Sequence, residues 1–279
     1  MIAFHYARSK LWAVMKRFLK RLVPLPVRVK LKWGRAAIAD IFGGPLPPRV
    51  PPRRQTFIGG GDFVTVGDSF LNQLKAHGLQ SDMKVLDVGC GQGRMARPLV
   101  KYLNGGGTYD GFDIVKGGIE WCQAQYEDVP HFSFQHANVK NDRYNKAGDV
   151  AAKDYVFPYP DNHFDFVFLT SVFTHMFKDD VANYVSEIQR VLKPGGRSLI
   201  TWFIMRDNEV TTDLDFAHVY DEVTWTTLKS NPEAALAFDR DFILGLYERC
   251  GFSSSKIFEG NWATRGGSSY QDMIVGDKA

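Results

Sequence analysis

Between Val85 and Ala96 the chain reads VLDVGCGQGRMA: an apolar strand ending in an acid, a turn with glycines at 89, 91 and 93, and the opening of a helix. Such a bend brings bare backbone and a helix N-terminus against a nucleotide-like ligand. The dinucleotide fingerprint G-x-G-x-x-G is not met, because Arg94 stands where its last glycine belongs. With Asp87 two residues before Gly89, the pattern is D-x-G-x-G-x-G. A second apolar run, TYDGFDI, carries Asp113 and Ile114 at its end, and a carboxylate at that distance accepts two hydrogen bonds from a ribose diol. A third run, FSFQHANV, ends in Asn138 and Val139. For proton transfer the first choice is His175, in TSVFTHM just after an apolar run that closes on Thr170. Its bland alternative is a bond to backbone or a contact with a cofactor. His218, in DLDFAHVYDEV, is the second choice against a surface or lid histidine, while His136 and His163 read as structural.

The elements that must position these groups follow in order. FPYPDNHFDFVFLTSVFTHM, residues 157–176, is a turn leading into a buried parallel strand. Val181, Tyr184, Val185, Ile188, Val191 and Leu192 recur at helical spacing, Asp179 and Asp180 suit the start of that helix, and Pro194, Gly195 and Gly196 stop it before a fifth strand. This succession, over residues 57–276, resembles the class I (Rossmann-like) S-adenosylmethionine-dependent methyltransferases. The resemblance implies an α/β fold with a seven-stranded, mostly parallel sheet in the order 3-2-1-4-5-7-6 and flanking helices. It implies S-adenosylmethionine as cofactor, held by Asp87, Gly89, Cys90, Gly91, Gly93, Arg94, Asp113, Ile114, Asn138, Val139 and Thr170. The family often has aspartate where Asn138 stands, near the adenine amino group; the amide oxygen can accept that bond without charge. Cys90 reads as a small space-filler.

Strands are expected near 84–88, 108–113, 132–136, 165–170, 198–203, 255–259 and 269–275, with a helix over Asp68–His77. FIGGGDFVTVG, residues 57–67, reads as a covering loop or a simple entry turn. Residues 141–156 replace a helix with a polar, tyrosine-bearing loop, and 206–238 form an insertion over the substrate face. Trp262 and Arg265 suit a sugar ring, although core packing is the alternative for the aromatics, Tyr270 included. No clustered carboxylates have metal-site spacing. The combination FIGGGDF, GFDIVKGGIEWC, FVFLTSVFTHM and SYQDMIV resembles a bacterial subgroup that modifies glycans or glycolipids. It implies O-methylation of a sugar hydroxyl on a lipid-linked or polymeric glycan. The rivals are methylation of a small lipophilic molecule of quinone or polyketide type, and a non-catalytic cofactor-binding scaffold.

Charge divides the chain. The 279 residues carry a net charge of +3, yet residues 1–54 hold thirteen Lys or Arg and one acid, Asp40. The expected division is therefore a basic extension over 1–54, closed by the stiff PLPPRVPPRR, and a catalytic domain over 55–279. On a helical wheel Leu11, Trp12, Met15, Phe18, Leu19 and Leu22 oppose Lys10, Lys16, Arg17, Lys20 and Arg21. That pattern suits an anionic membrane surface contacted through residues 1–24, packing on the body, or an acidic polymer; no nucleic-acid motif accompanies it. It is too interrupted to span a bilayer. Three scattered cysteines suit a reducing compartment, so the expected location is the cytoplasm, on the inner face of the plasma membrane if the head binds lipid.

Overall fold

The computed structural model describes Gly34, Asp40 and residues 43–57, 59–206, 214–263 and 266–279. The amphipathic helix expected over 10–22, Ile58 of the covering loop, and Arg265 lie outside the described residues. The chain divides into two compact units, Met1–Ile58 and Gly59–Ala279. In the first, the Asp40 carboxylate accepts the N–H groups of Arg53 (2.9 Å) and Arg54 (3.1 Å), at the start of a 3₁₀ turn over Arg53–Gln55.

In the second unit, β1 (Lys84–Val88), β2 (Thr108–Asp113), β3 (Phe132–His136), β6 (Phe164–Leu169), β7 (Leu192–Trp202), β12 (Phe252–Phe258) and β13 (Asp272–Lys278) form one sheet. Its order is β12-β13-β7-β6-β1-β2-β3, which is the expected 3-2-1-4-5-7-6. β1, β2, β3, β6 and β7 pair in parallel, and β13 runs antiparallel to both β7 and β12. Strands buried on both faces alternate their apolar side chains between two cores. On β6, Phe166 and Phe168 join Val85, Tyr109 and Leu99 on one face, while Val167 and Leu169 join Leu86, Ile200 and Trp202 on the other. Helices α1 (Phe63–Ala76), α2 (Ala96–Tyr102), α3 (Lys116–Gln125), α4 (Lys178–Val191) and α5 (Arg240–Arg249) flank this sheet. Asp180 caps α4 by accepting the Phe177 N–H at 3.2 Å, as its position in the sequence suggested. Among the described residues no helix is long and apolar enough to cross a membrane.

Two expectations need correction. The helix expected over Asp68–His77 begins at Phe63, because Asp62 accepts the Thr65 N–H at 2.9 Å and Phe63 is buried. Half of the supposed covering loop is thus a helix, pressed so close to the glycine bend that a Cβ on Gly67 would lie 2.4 Å from the Arg94 carbonyl oxygen. The insertion over 206–238 also has its own structure. Short strands β8 (Ile204–Met205), β9 (His218–Val219), β10 (Thr224–Thr226) and β11 (Leu236–Asp239) form a second sheet in the order β8-β11-β10-β9. Strands of two to four residues are too short for their period to show in a sequence.

A third, small core joins Phe203, Phe216, Ala235, Ala237, Trp262 and Ala263. Trp262 is fully buried, so it packs beneath the insertion and does not stack on a sugar. Beside it, the buried Asp272 carboxylate accepts from Ile204 N (3.0 Å), Gly260 N (2.8 Å) and Trp262 Nε1 (2.7 Å). One carboxylate therefore holds together the start of β8, the loop after β12 and the start of β13. Removing it leaves buried donors without an acceptor, each costing about 1–3 kcal/mol. Asp272→Ala is expected to lower the stability of the second unit by about 3 kcal/mol or more, and Asp272→Asn by less, as read from urea midpoints. A midpoint unchanged in Asp272→Ala would remove this carboxylate from its role.

Candidate active site

The glycine bend is a strained backbone that only glycine adopts readily. Gly89, Gly91 and Gly93 have φ of 82°, 58° and 73°. At Gly89 a Cβ would lie 2.3 Å from Val172 Cγ2, so the loop after β6 closes directly on the bend. The bend is tied to β2 at three points: Gly89 N and Cys90 N donate to the Phe112 carbonyl at 2.9 and 3.0 Å, and Gly91 N donates to Asp113 Oδ2 at 2.8 Å. Asp113 Oδ1 accepts Val115 N at 2.8 Å, just before α3. From below, the Tyr126 hydroxyl donates to the Gly93 carbonyl at 3.1 Å. Arg94, nearly buried, donates to the Gly59 and Gly60 carbonyls at 2.6 and 3.2 Å and so fastens the segment before α1 to the bend.

Under this bend lies a pair of carboxylates. Asp87 is fully buried; its Oδ2 accepts the Tyr109 hydroxyl at 2.7 Å, and its Oδ1 has no partner among the described residues. Burial pushes its pKa up to about 8, against the Tyr109 bond, which lowers it, and with the Asp113 charge, which raises it further. Burial also raises Asp113 above the usual carboxylate range, although the N–H groups of Val115, Gly91 and Ile114 oppose this. A buried, half-satisfied carboxylate beside a second one fits a cationic ligand, and the bare bend fits a close-lying nucleoside. These residues therefore fit S-adenosylmethionine. Burial holds the Cys90 thiol protonated, which suits a filler and not a nucleophile.

The other expected contacts are placed less directly. Ile114 lies half-buried at the end of β2, and its carbonyl is 3.2 Å from His136 Nε2. Val139 is buried on β4 (Val139–Lys140), which pairs with β5 (Val150–Ala151). Thr170 is half-buried at the end of β6. Asn138 is exposed, its Nδ2 donates to Asp149 Oδ2 at 2.7 Å, and its Oδ1 accepts Asn145 Nδ2 at 3.3 Å. The polar loop over 141–156 thus orients this amide, and the second lone pair of Oδ1 stays open to the bond expected from an adenine amino group.

His175 ends a 3₁₀ turn, Phe173–His175, at the carboxyl edge of the sheet. Its Nδ1 lies 2.7 Å from the Glu233 carbonyl oxygen, and burial lowers its pKa below the ordinary histidine value. A carbonyl only accepts, so Nδ1 carries the hydrogen and Nε2 is left as the basic nitrogen of a neutral ring. Asn141 Nδ2 donates to Glu233 Oε1 at 3.1 Å, and the Tyr144 ring stands edge-on to the imidazole at 5.6 Å. His218 lies apart from this group. It sits on β9, the outer strand of the insertion's sheet, in register with Thr226, and shares no hydrogen bond with the His175 cluster among the described residues.

Sequence reasoning missed Asn141, Tyr144, Glu233, Ser171 and Gln271. Ser171 is held at φ 58°, its N–H donating to Thr201 Oγ1 at 2.8 Å and its hydroxyl to Gln271 Oε1 at 2.7 Å. A non-glycine residue in that region marks strain at the mouth of the site, between β6, β7 and β13. Asn141 and Tyr144 lie in the polar, tyrosine-bearing loop singled out from the sequence and Gln271 in an expected strand, but none of the five was marked by its spacing; only folding brings them together. Among the described residues no group of three or more His, Cys, Asp or Glu side chains is disposed to hold a metal ion.

The Asp87 proton has a measurable consequence. The folded chain keeps that proton to higher pH than the unfolded chain does, so native stability falls as pH rises from the ordinary carboxylate range to about 8. Asp87→Asn removes this dependence. In calorimetry of the ligand-free protein, its Tm relative to the native chain is expected to climb between pH 5 and pH 8 and then level, while S-adenosylmethionine binding is lost. A difference in Tm that stays flat with pH would mean that Asp87 is ionised throughout.

Comparison with known proteins agrees with this geometry. Residues 86–200 match the family described as "Methyltransferase domain". The sterol 24-C-methyltransferase of Neurospora crassa is 31% identical over 51% of this chain and 35% of its own length. A probable methyltransferase of Aspergillus luteorubrus is 28% identical over 61% of this chain and 57% of its own. The chain thus spans only part of the curated relatives it matches. Among solved structures, a SAM-dependent methyltransferase from Methanosarcina mazei superposes with a TM-score of 0.51 at 20% identity, covering 74% of this chain and 96% of that one. A protein from Pyrococcus horikoshii gives 0.52 at 18% identity, over 83% and 97%. At such identities these two show the fold alone. Sheet order and glycine bend are those of a Rossmann-like α/β fold, residues 86–200 match a methyltransferase domain, and the residues of the bend fit S-adenosylmethionine as cofactor.

Proposed function

We propose that this protein transfers a methyl group from S-adenosylmethionine to a hydroxyl of a sugar-bearing acceptor, on a lipid-linked or polymeric glycan, with His175 as the base. The single observation that carries this reading is the bond from His175 Nδ1 to the Glu233 carbonyl, which leaves Nε2 as acceptor in a neutral ring. The bound cofactor supplies an activated methyl on a sulfonium; the acceptor oxygen forms the new C–O bond as the S–C bond breaks, its electron pair going to sulfur. The protein's share is to align the acceptor, exclude water and take the hydroxyl proton onto His175 Nε2. Around His175 stand an amide (Asn141), a carboxylate (Glu233), a guanidinium (Arg143) lying over the half-exposed Tyr144 ring, and the Ser171–Gln271 pair. Amide, carboxylate, guanidinium and an open aromatic face are the groups that bind polyhydroxylated rings. His218 is proposed only as a lid histidine.

A second reading, methylation of a small lipophilic molecule at carbon or oxygen, is favoured by the sterol 24-C-methyltransferases among the relatives. A labelled-methyl assay on cell extracts split into lipid, polysaccharide and small-molecule fractions decides between them. Label in glycan or glycolipid is expected; label confined to aglycone lipids or small molecules would transfer the assignment to the second reading. On the labelled acceptor, His175→Ala is expected to lower kcat about 100-fold or more. The native rate should rise with pH to a plateau, with a midpoint below about 6.5. Undiminished turnover in His175→Ala would strike His175 out as base.

The cationic and apolar faces of residues 10–22 favour a peripheral place on an anionic membrane, which suits a lipid-linked acceptor. Flotation with anionic liposomes is expected for the full chain and should fail after deletion of residues 1–24. Equal flotation of both would refute membrane contact through this segment.

A further inference from the structure

We propose that Asn141 and Glu233 are positioning residues for His175: together they fix which ring nitrogen carries the proton, and so keep Nε2 as the proton-accepting nitrogen. This rests on the reading of His175 as the base, and adds to it the parts of the chain on which that base depends.

In a free imidazole the proton moves between both nitrogens and favours Nε2, the opposite of what a base acting through Nε2 requires. The preference is reversed here by the Glu233 carbonyl, 2.7 Å from Nδ1. That carbonyl belongs to a three-residue 3₁₀ turn, Pro232–Ala234, inside the insertion. So short a turn holds its place only if something anchors it. One anchor is Thr226, whose hydroxyl donates to the Pro232 carbonyl at 3.0 Å. The other is Asn141, a single amide that joins three segments. Its Nδ2 donates to Glu233 Oε1 at 3.1 Å and reaches the His175 carbonyl at 3.4 Å; its Oδ1 accepts Arg143 N and Tyr144 N, both at 3.0 Å. The loop after β4, the turn after β6 and the insertion therefore meet at one side chain. The Tyr144 edge contact closes one side of the imidazole.

His175 Nε2 makes no hydrogen bond among the described residues, so the proton on Nδ1 is set by the Glu233 side of the ring alone. The charged group facing His175 is Arg143, and Asp142, Asp180 and Arg143 surround the Glu233 carboxylate. Pairing Glu233 with a neutral amide leaves it an acceptor in either charge state, provided one oxygen stays unprotonated. Glutamine at 233 would keep that oxygen, whereas alanine would lose it.

The test is an imidazole ¹⁵N–¹H correlation spectrum of the ¹⁵N-histidine-labelled full chain above pH 7.5, with His175→Ala to assign the signals. In the native chain the Nδ1–H form of His175 is expected to exceed the Nε2–H form about fivefold or more, the ratio one net hydrogen bond supports. Asn141→Leu and Glu233→Ala should return the ring to a predominance of Nε2–H, and Glu233→Gln should restore the native pattern. The Gln and Ala variants at 233 decide the matter if Asn141→Leu does not fold. A native ring protonated on Nε2, or a native pattern surviving in Glu233→Ala, would overturn the proposal. Should the tautomers behave as stated while His175→Ala still turns over at the native rate, the base reading falls and the positioning role stands, so the two failures are distinct.

Discussion

The hydrogen bond from Gly91 N to the buried Asp113 carboxylate is the constraint on which the cofactor half of this protein depends. Three residues at positive φ cannot hold a tight bend unless their amides find partners; the Phe112 carbonyl and Asp113 supply two of them from the neighbouring strand, and the Cys90 carbonyl takes the third within the bend. The same carboxylate accepts Val115 N, so it also sets where α3 begins. Placing Asp113 and Asp87 together in a dry site is unfavourable for two anions, and the chain meets this with the Tyr109 hydroxyl, backbone N–H groups and a retained proton. A cationic ligand relieves what the protein alone leaves unbalanced. Binding of the cofactor and protonation of Asp87 are for that reason two sides of one equilibrium.

The acceptor half is built differently. Its groups come from segments inserted between the strands of the sheet: the polar loop after β4, the turn after β6, the insertion carrying β9, β10 and β11, and the residues before β13. Polar side chains do the joining. Asp272 ties β13 to β8 and to Trp262, Ser171 reaches Gln271, and Asn141 links Glu233 to the turn of His175. The described part of the insertion shares a small apolar core with Phe203, Trp262 and Ala263, so Phe216, Ala235 and Ala237 are packed and not slack. A fold shared with solved methyltransferases therefore says little about the acceptor.

Tertiary packing also revised the reading of individual residues. Trp262 looked suited to a sugar ring, but an indole N–H with a buried acid at 2.7 Å and a fully enclosed ring belongs to the core. The helix at 63 began earlier than its apolar spacing suggested, since the cap at Asp62 and the burial of Phe63 outweigh three preceding glycines.

By itself the sequence determined the strands of the sheet, the glycine bend, the carboxylates at 87 and 113 and the place of His175 after β6, while the order of the strands was implied by the family those motifs resemble. Those features rest on contacts close in the chain or on long apolar runs, whose period and punctuation are written locally. What only the tertiary structure decided is the company each group keeps: which acid retains a proton, which nitrogen of His175 is free, and which amides face a ligand. Most of these depend on residues 22 to 100 positions apart, as with Asp87 and Tyr109, Asn141 and His175 or Ser171 and Gln271. A hydrogen bond across such a separation needs no regular spacing, so nothing in the order of the residues announces it; it exists only once the sheet has brought their loops to the same edge.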